Sequence, residues 1–137
     1  MADTFQLQVA TPERLLVDER VTEAELPGRN GYMGILAGHA PLLSALAPGL
    51  LTYSTGGSGR QVLVIDGGFV EVFENQVRVL ADSAERADEV QPDQARQSLD
   101  AANKALAAAQ DEKQSNAALL DMQRAQARLD ATGNAAH

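Results

Sequence analysis

A chain of 137 residues is long enough for one domain, or for a small domain with an appendage, and no third unit fits. Its 19 Asp and Glu against 11 Lys and Arg leave a net charge of -8, so it has no surplus of cations to neutralise a phosphate backbone, and no nucleic acid partner is expected. Cysteine is absent, which removes disulfides, thiol nucleophiles and thiolate zinc sites, and no run of about 18 apolar residues occurs, so neither a membrane span nor direct lipid insertion is expected.

The opening MADTFQLQVA has no basic stretch followed by a long apolar run, so no secretory leader is expected. Within it Phe5, Leu7 and Val9 alternate with Gln6 and Gln8, the period of a half-buried strand. The segment GYMGILAGHAPLLSALAPGLL, residues 31–51, carries almost no charge, is broken by glycine and proline, and has Tyr32 and His39 as its only titratable groups. A core of short strands would explain it, and so would a surface meant for another protein. GGSGR, residues 56–60, reads as an exposed hairpin tip. The run QVLVIDGGFVEVF predicts two strands joined as a hairpin by an Asp66-Gly67-Gly68 turn, and Val77, Val79 and Ala81 then alternate with Arg78 and Leu80. Ten of the 11 glycines and all five aromatics precede residue 74, which predicts a sandwich or small barrel of short strands over residues 1–84.

From about residue 85 the composition turns to Ala, Gln, Asp, Leu, Arg and Lys, which favour helix. Ala95, Leu99, Ala102, Leu106 and Ala109 share one helical face, and Pro92 suits the first turn. After the polar break QDEKQSN, Ser115 or Asn116 is expected to cap a second helix with the stripe Ala118, Met122, Ala125 and Leu129, and Gly133 to stop it. Residues 85–137 thus read as a helical hairpin. Its large apolar side chains are few, namely Leu99, Leu106, Leu119, Leu120, Met122 and Leu129. Each contributes roughly 1.5–3 kcal/mol when fully buried, against about 1–2 kcal/mol to order each residue's backbone, so the helices should dock shallowly and be able to leave.

Residues for chemistry are scarce. His39 and His137 are the whole histidine inventory, and one imidazole without spaced carboxylate or thiolate partners makes neither a triad nor a metal site. Gly28, Gly31 and Gly34 lack the Gly-Lys-Ser/Thr ending of a phosphate loop and read as turn residues. Asp18-Glu19 and Asp111-Glu112 read as solvated charge. No catalytic residue, no metal and no cofactor is expected, and the chain is not read as an enzyme.

GHAPLLSALAPGLL, preceded by ELPGRNGYMGIL and followed by VIDGGFVEVFENQVRVLADSAERADEV, resembles the N-terminal domain of the epsilon-subunit family of bacterial F-type ATP synthases over roughly residues 4–90. The resemblance implies an α+β protein, an antiparallel β-sandwich followed by a two-helix hairpin. It also implies a non-catalytic part of the rotor in a proton-translocating ATP synthase, peripheral on the cytoplasmic face of the bacterial plasma membrane. The sandwich would bind the gamma subunit and the c-ring through Gly31, Tyr32, Met33 and Gly34, through His39, Ala40, Pro41, Leu42, Leu43 and Ser44, and through Asp66, Gly67 and Gly68. The hairpin would be mobile and, when extended, would reach the beta and alpha subunits of the catalytic head through Lys113, Arg124 and Arg128, restraining ATP hydrolysis.

Some members hold ATP through an Ile/Leu-Asp-x-x-Arg-Ala motif at the start of the first helix. Here Gln91 and Gln94 stand where its Asp and Arg would be, whereas LDMQRA, residues 120–125, fits the string within the second helix. Asp121 and Arg124 are therefore the positions an ATP contact would use, although such an i,i+3 pair is also ordinary helix-surface chemistry. With few cations, offset by Asp121 and Asp130, and a helix ending early at DATGNAAH with only His137 beyond, inhibition of hydrolysis is expected to be weak. A free-standing sandwich that binds a small ligand or peptide is the alternative reading.

Overall fold

The computed structural model describes residues 3–57 and 59–135. The tip residue Ser58 and the terminal His137 lie outside the described residues. Ten strands form two five-stranded sheets. The first holds β1 (Phe5–Ala10), β2 (Leu15–Val21), β5 (Leu42–Ala45), β8 (Phe69–Phe73) and β9 (Gln76–Leu80), in the order β2-β1-β9-β8-β5. The second holds β3 (Glu23–Gly28), β4 (Gly31–Leu36), β6 (Gly49–Ser54), β7 (Gln61–Asp66) and β10 (Ser83–Arg86), in the order β10-β7-β6-β3-β4. Every pairing is antiparallel except that of β1 with β9.

Alternation sets the inner faces. Phe5, Leu7 and Val9 on β1, and Val77 and Val79 on β9, are buried against Leu26, Ile35, Leu51, Leu63 and Ile65 of the facing sheet. This is the expected β-sandwich, antiparallel throughout except where β1 runs alongside β9. The expected hairpin at Asp66-Gly67-Gly68 is not there: β7 pairs with β6 and β10 while β8 pairs with β5 and β9, so these residues carry the chain from one sheet to the other. The reason lies in β7, where Leu63, Val64 and Ile65 are buried in succession because both faces of that strand are covered. The corner is tight. A Cβ on Gly68, whose φ is +108, would fall 2.1 Å from the Leu80 carbonyl oxygen.

The outer face of the second sheet carries the helices. After β10 a 3-10 turn, Ala87–Glu89, leads into α1 (Pro92–Ala108) and α2 (Glu112–Ala135). Pro92 opens α1 as expected, and the two predicted stripes face inward: Ala95 and Ala102 are buried on α1, and Ala118 and Ala125 on α2. The seam against the sheet is made of small side chains, with Ala95, Ala127 and Ala131 packed on Val64, Ala87 and Val90.

Two helix boundaries differ from expectation. The cap of α2 is Asp111, whose Oδ1 accepts from the Gln114 amide at 2.7 Å, rather than Ser115 or Asn116. A carboxylate caps as well as a hydroxyl and also favours the positive end of the helix, so the break is only three residues long. At the other end α2 continues through Gly133 to Ala135. A glycine costs about 1 kcal/mol in a helix but does not forbid it.

Candidate functional site

The strand register lines up one apolar row across the outer face of the first sheet. Ala45 stands opposite Phe69, Phe69 opposite Leu80, Leu80 beside Ala10, and Ala10 opposite Leu15. Phe69, Leu80 and Leu15 are 57%, 58% and 57% exposed, and Leu43 on the next row is 72% exposed. Three large apolar side chains held side by side in water on a rigid sheet make a surface suited to another protein. The neighbouring row is polar apart from Leu43 at its β5 end: Glu71 opposes Leu43 and Arg78, Arg78 lies beside Gln8, and Gln8 opposes Asp18. This boundary between oily and charged rows gives the face a direction.

The residues singled out from the sequence fall in three places. Gly31 to Gly34 form the start of β4, the edge of the second sheet, where the Tyr32 hydroxyl accepts from the Leu50 amide at 3.1 Å and Met33 packs partly on the core. His39, Ala40 and Pro41 are exposed in the loop before β5. Along β5 itself Leu42 packs against the core and the half-buried Ser44 opposes the buried Val70, so Leu43 alone of those three points outward. Asp66, Gly67 and Gly68 occupy the crossover between the sheets.

These places are not one patch. The turn before Gly31 lies at the end of the sandwich where the Arg29 amide meets the Ala45 carbonyl, whereas the His39 loop is at the opposite end, beside Asn75. Sequence reasoning missed Leu15, Phe69 and Leu80, although a signal was present. In QVRVL the outward position Leu80 is apolar where alternation calls for a polar residue, and Phe69 breaks the pattern of β8 in the same way.

A second region is the groove of about 930 Å³ between the helices and the second sheet. Its cations are already engaged. Arg124 donates from Nε to Asp66 Oδ1 at 2.9 Å and from Nη1 to Asp121 at 3.2 Å. Arg128 donates to Glu85 at 2.7 Å and to Gln94 at 3.2 Å, while Arg14 forks onto Glu89 at 3.0 and 2.9 Å. The hydrogen bond that Arg124 donates to Asp66, together with the charge of that carboxylate, raises the Arg124 pKa further. Lys113 is exposed near the start of α2. Among the described residues no group of three or more His, Cys, Asp or Glu could hold a metal ion, and no helix is long and apolar enough to cross a membrane.

The Glu89 carboxyl is held well below the usual carboxylate range. The Arg14 hydrogen bond and the Arg86 amide lower it from 4.5 to about 2, against opposition from burial. A folded-state value below the unfolded one means stability present above pH 4.5 and lost as pH falls toward 2. Both partners are more than a third exposed, so solvent screening keeps the contribution small. The stability gap between wild type and Glu89→Gln in urea is expected to be measurable at pH 6 and to narrow at pH 3. An equal gap at both pH values would remove Arg14–Glu89 as its source.

Residues 4–87 match the sequence family described as ATP synthase, Delta/Epsilon chain, beta-sandwich domain. Over 135 residues the chain is 42% identical to the ATP synthase epsilon chain of Nitratidesulfovibrio vulgaris (strain DP4), covering 98% of this chain and 100% of that one. It is 55% identical over 100 residues to the ATP synthase epsilon chain of Solibacter usitatus, covering 73% and 74% of the two. In three dimensions it is similar to a chain of the Euglena gracilis mitochondrial ATP synthase OSCP/F1/c-ring assembly, with a TM-score of 0.81 at 25% identity, covering 98% of this chain and 82% of that chain.

Proposed function

The chain belongs to the ATP synthase delta/epsilon chain family, and from that premise we propose that it is a non-catalytic subunit of the rotating central stalk, coupling c-ring rotation to the catalytic head. The observation that carries the reading is the family match across the whole sandwich, continued through the hairpin by a relative aligned from end to end. The apolar row on the first sheet fits it. A subunit that works only inside an assembly has reason to keep Phe69, Leu80 and Leu15 in water when alone.

The gamma subunit is assigned to this outer face, with Leu43 and the His39 loop at its margin. The c-ring is assigned to the end that carries Gly31 and the Asp66–Gly68 corner. On this reading the protein sits peripherally on the cytoplasmic side of the bacterial plasma membrane. The hairpin is a modulator of ATP hydrolysis that reaches the beta and alpha subunits when it leaves the sandwich. No nucleotide is assigned to the groove, because Arg124 and Arg128, the cations that would meet a phosphate, already have carboxylate partners there.

The test is capture from membranes in mild detergent. A tagged chain should bring down the ATPase complex, and recovery of the chain alone would refute the proposal. Within the complex, ending the chain after Val90 keeps β10 and the Arg14–Glu89 pair. ATP hydrolysis is then expected to rise by less than about tenfold, or 1.4 kcal/mol, because an extended hairpin must first give up its ion pairs to Asp66 and Glu85. A larger rise would mean that the head grips the helices far more tightly than the sandwich does.

A further inference from the structure

The turn between β8 and β9 has just two residues, Glu74 and Asn75, and both hold positive φ, 48 and 63. Asparagine is among the few residues other than glycine that accept this conformation, so its presence there would need no further account. Its side chain, however, is used elsewhere. Asn75 Oδ1 accepts from the Gly38 amide at 2.8 Å, and Asn75 Nδ2 donates to the Thr4 carbonyl at 2.8 Å. Its own carbonyl accepts from the Gln6 amide at 3.1 Å. One amide thus joins three segments distant in sequence.

The segment that depends on it most is Ala37–Pro41. Gly38 has a φ of +81, and the His39 amide donates to the Leu36 carbonyl at 3.2 Å, so the loop closes on itself. His39 Nδ1 meets the adjacent Ala40 carbonyl at 2.7 Å, again a local contact. Among the described residues the Gly38–Asn75 bond is the only hydrogen bond tying this loop to a distant part of the chain. Beside it stands Phe73, 55% exposed, at the end of β8. We infer that Asn75 is the positioning residue of this end of the sandwich: it holds the His39–Pro41 loop in one conformation next to Phe73, ready for the gamma subunit. The inference rests on the assignment of that loop to the partner, and its test separates the two.

Asn75→Gly keeps a residue suited to positive φ and removes both side-chain bonds. Asn75→Asp keeps the acceptor for Gly38 and loses the donor to Thr4. Amide hydrogen exchange of Gly38 in the full-length chain should speed up by about tenfold or more in Asn75→Gly and stay slow in Asn75→Asp. Capture of an ATPase complex depleted of this subunit should weaken by roughly tenfold in Asn75→Gly alone, because the loop must then be ordered on binding. Unchanged Gly38 exchange in Asn75→Gly overturns the inference, as does equal acceleration in both variants. Faster exchange in Asn75→Gly with undiminished capture upholds the positioning and overturns instead the assignment of the loop to gamma.

Discussion

Replacing Gly68 with valine is expected to leave the chain unfolded under conditions where the wild type is fully folded. The new Cβ would lie 2.1 Å from the Leu80 carbonyl oxygen, 2.7 Å from the Ala81 Cα and 3.0 Å from the Leu80 carbonyl carbon. All three are backbone atoms of the segment that leaves β9, so no side chain can rotate away. The φ of +108 adds conformational strain for any β-branched residue. Together these should cost several kcal/mol, a large part of the roughly 5–15 kcal/mol that holds a domain together. Gly67→Ala is the matched control. Its Cβ would meet only the end of the Asp82 side chain at 2.7 Å, which can swing out, leaving a penalty of about 1–2 kcal/mol for φ. Urea unfolding followed by circular dichroism decides: a Gly68→Val protein as stable as Gly67→Ala would show that the corner is not tight.

The second large effect concerns assembly. The double substitution Phe69→Asp and Leu80→Asp is expected to abolish capture of the ATPase complex while the isolated chain keeps its fold. In the free protein both side chains already face water, so the cost is confined to the lost Phe69–Leu80 contact and the repulsion of two directly opposed carboxylates, about 1 kcal/mol. Under a docked partner the same two carboxylates would be buried without counter-charges, at several kcal/mol each, which is at least about a thousandfold in affinity. Leu42→Asp is the informative contrast, because Leu42 packs against the core and its replacement should unfold the sandwich rather than spare it. Leu43→Asp, one residue along and outward, should behave like the surface variants. Capture within tenfold of wild type by the Phe69/Leu80 variant would remove this face from the interface.

The opposite placements of Leu42 and Leu43 show where sequence alone stops. The alternation of Phe5, Leu7 and Val9 and the helical stripes of α1 and α2 were legible because periodicity reports which side of an element is dry. Partner choice is a different matter. Period-two patterning in QVLVIDGGFVEVF is satisfied equally by a hairpin and by a step between sheets, and only long-range pairing distinguishes them. The outer apolar row was hidden for a related reason. Leu80 and Phe69 face each other across the short β8–β9 hairpin, but Leu15 joins them from β2 by way of β1, and no local window contains the register that aligns all three. Asn75 is a turn residue, yet its side chain serves two segments that only the fold brings near.

The single parallel pairing, β1 with β9, has a consequence for how the chain comes to be folded. Gln6 lies beside Gln76 and Val9 beside Val79, so the first strand synthesised waits for the last strand of its sheet. Until then β1 has only β2 for company, and the inner faces of Phe5, Leu7 and Val9 have no completed sheet around them. Pairings so distant along the chain place folding in the slow regime of β-sandwiches, milliseconds to seconds, because loop closure must come before any reward from contact. A nascent chain stopped anywhere before Leu80 would keep β1 as an open edge able to pair with another copy. The helices emerge later still and meet a sheet that can already be complete, so their docking is expected to be a separate last step in the order of events.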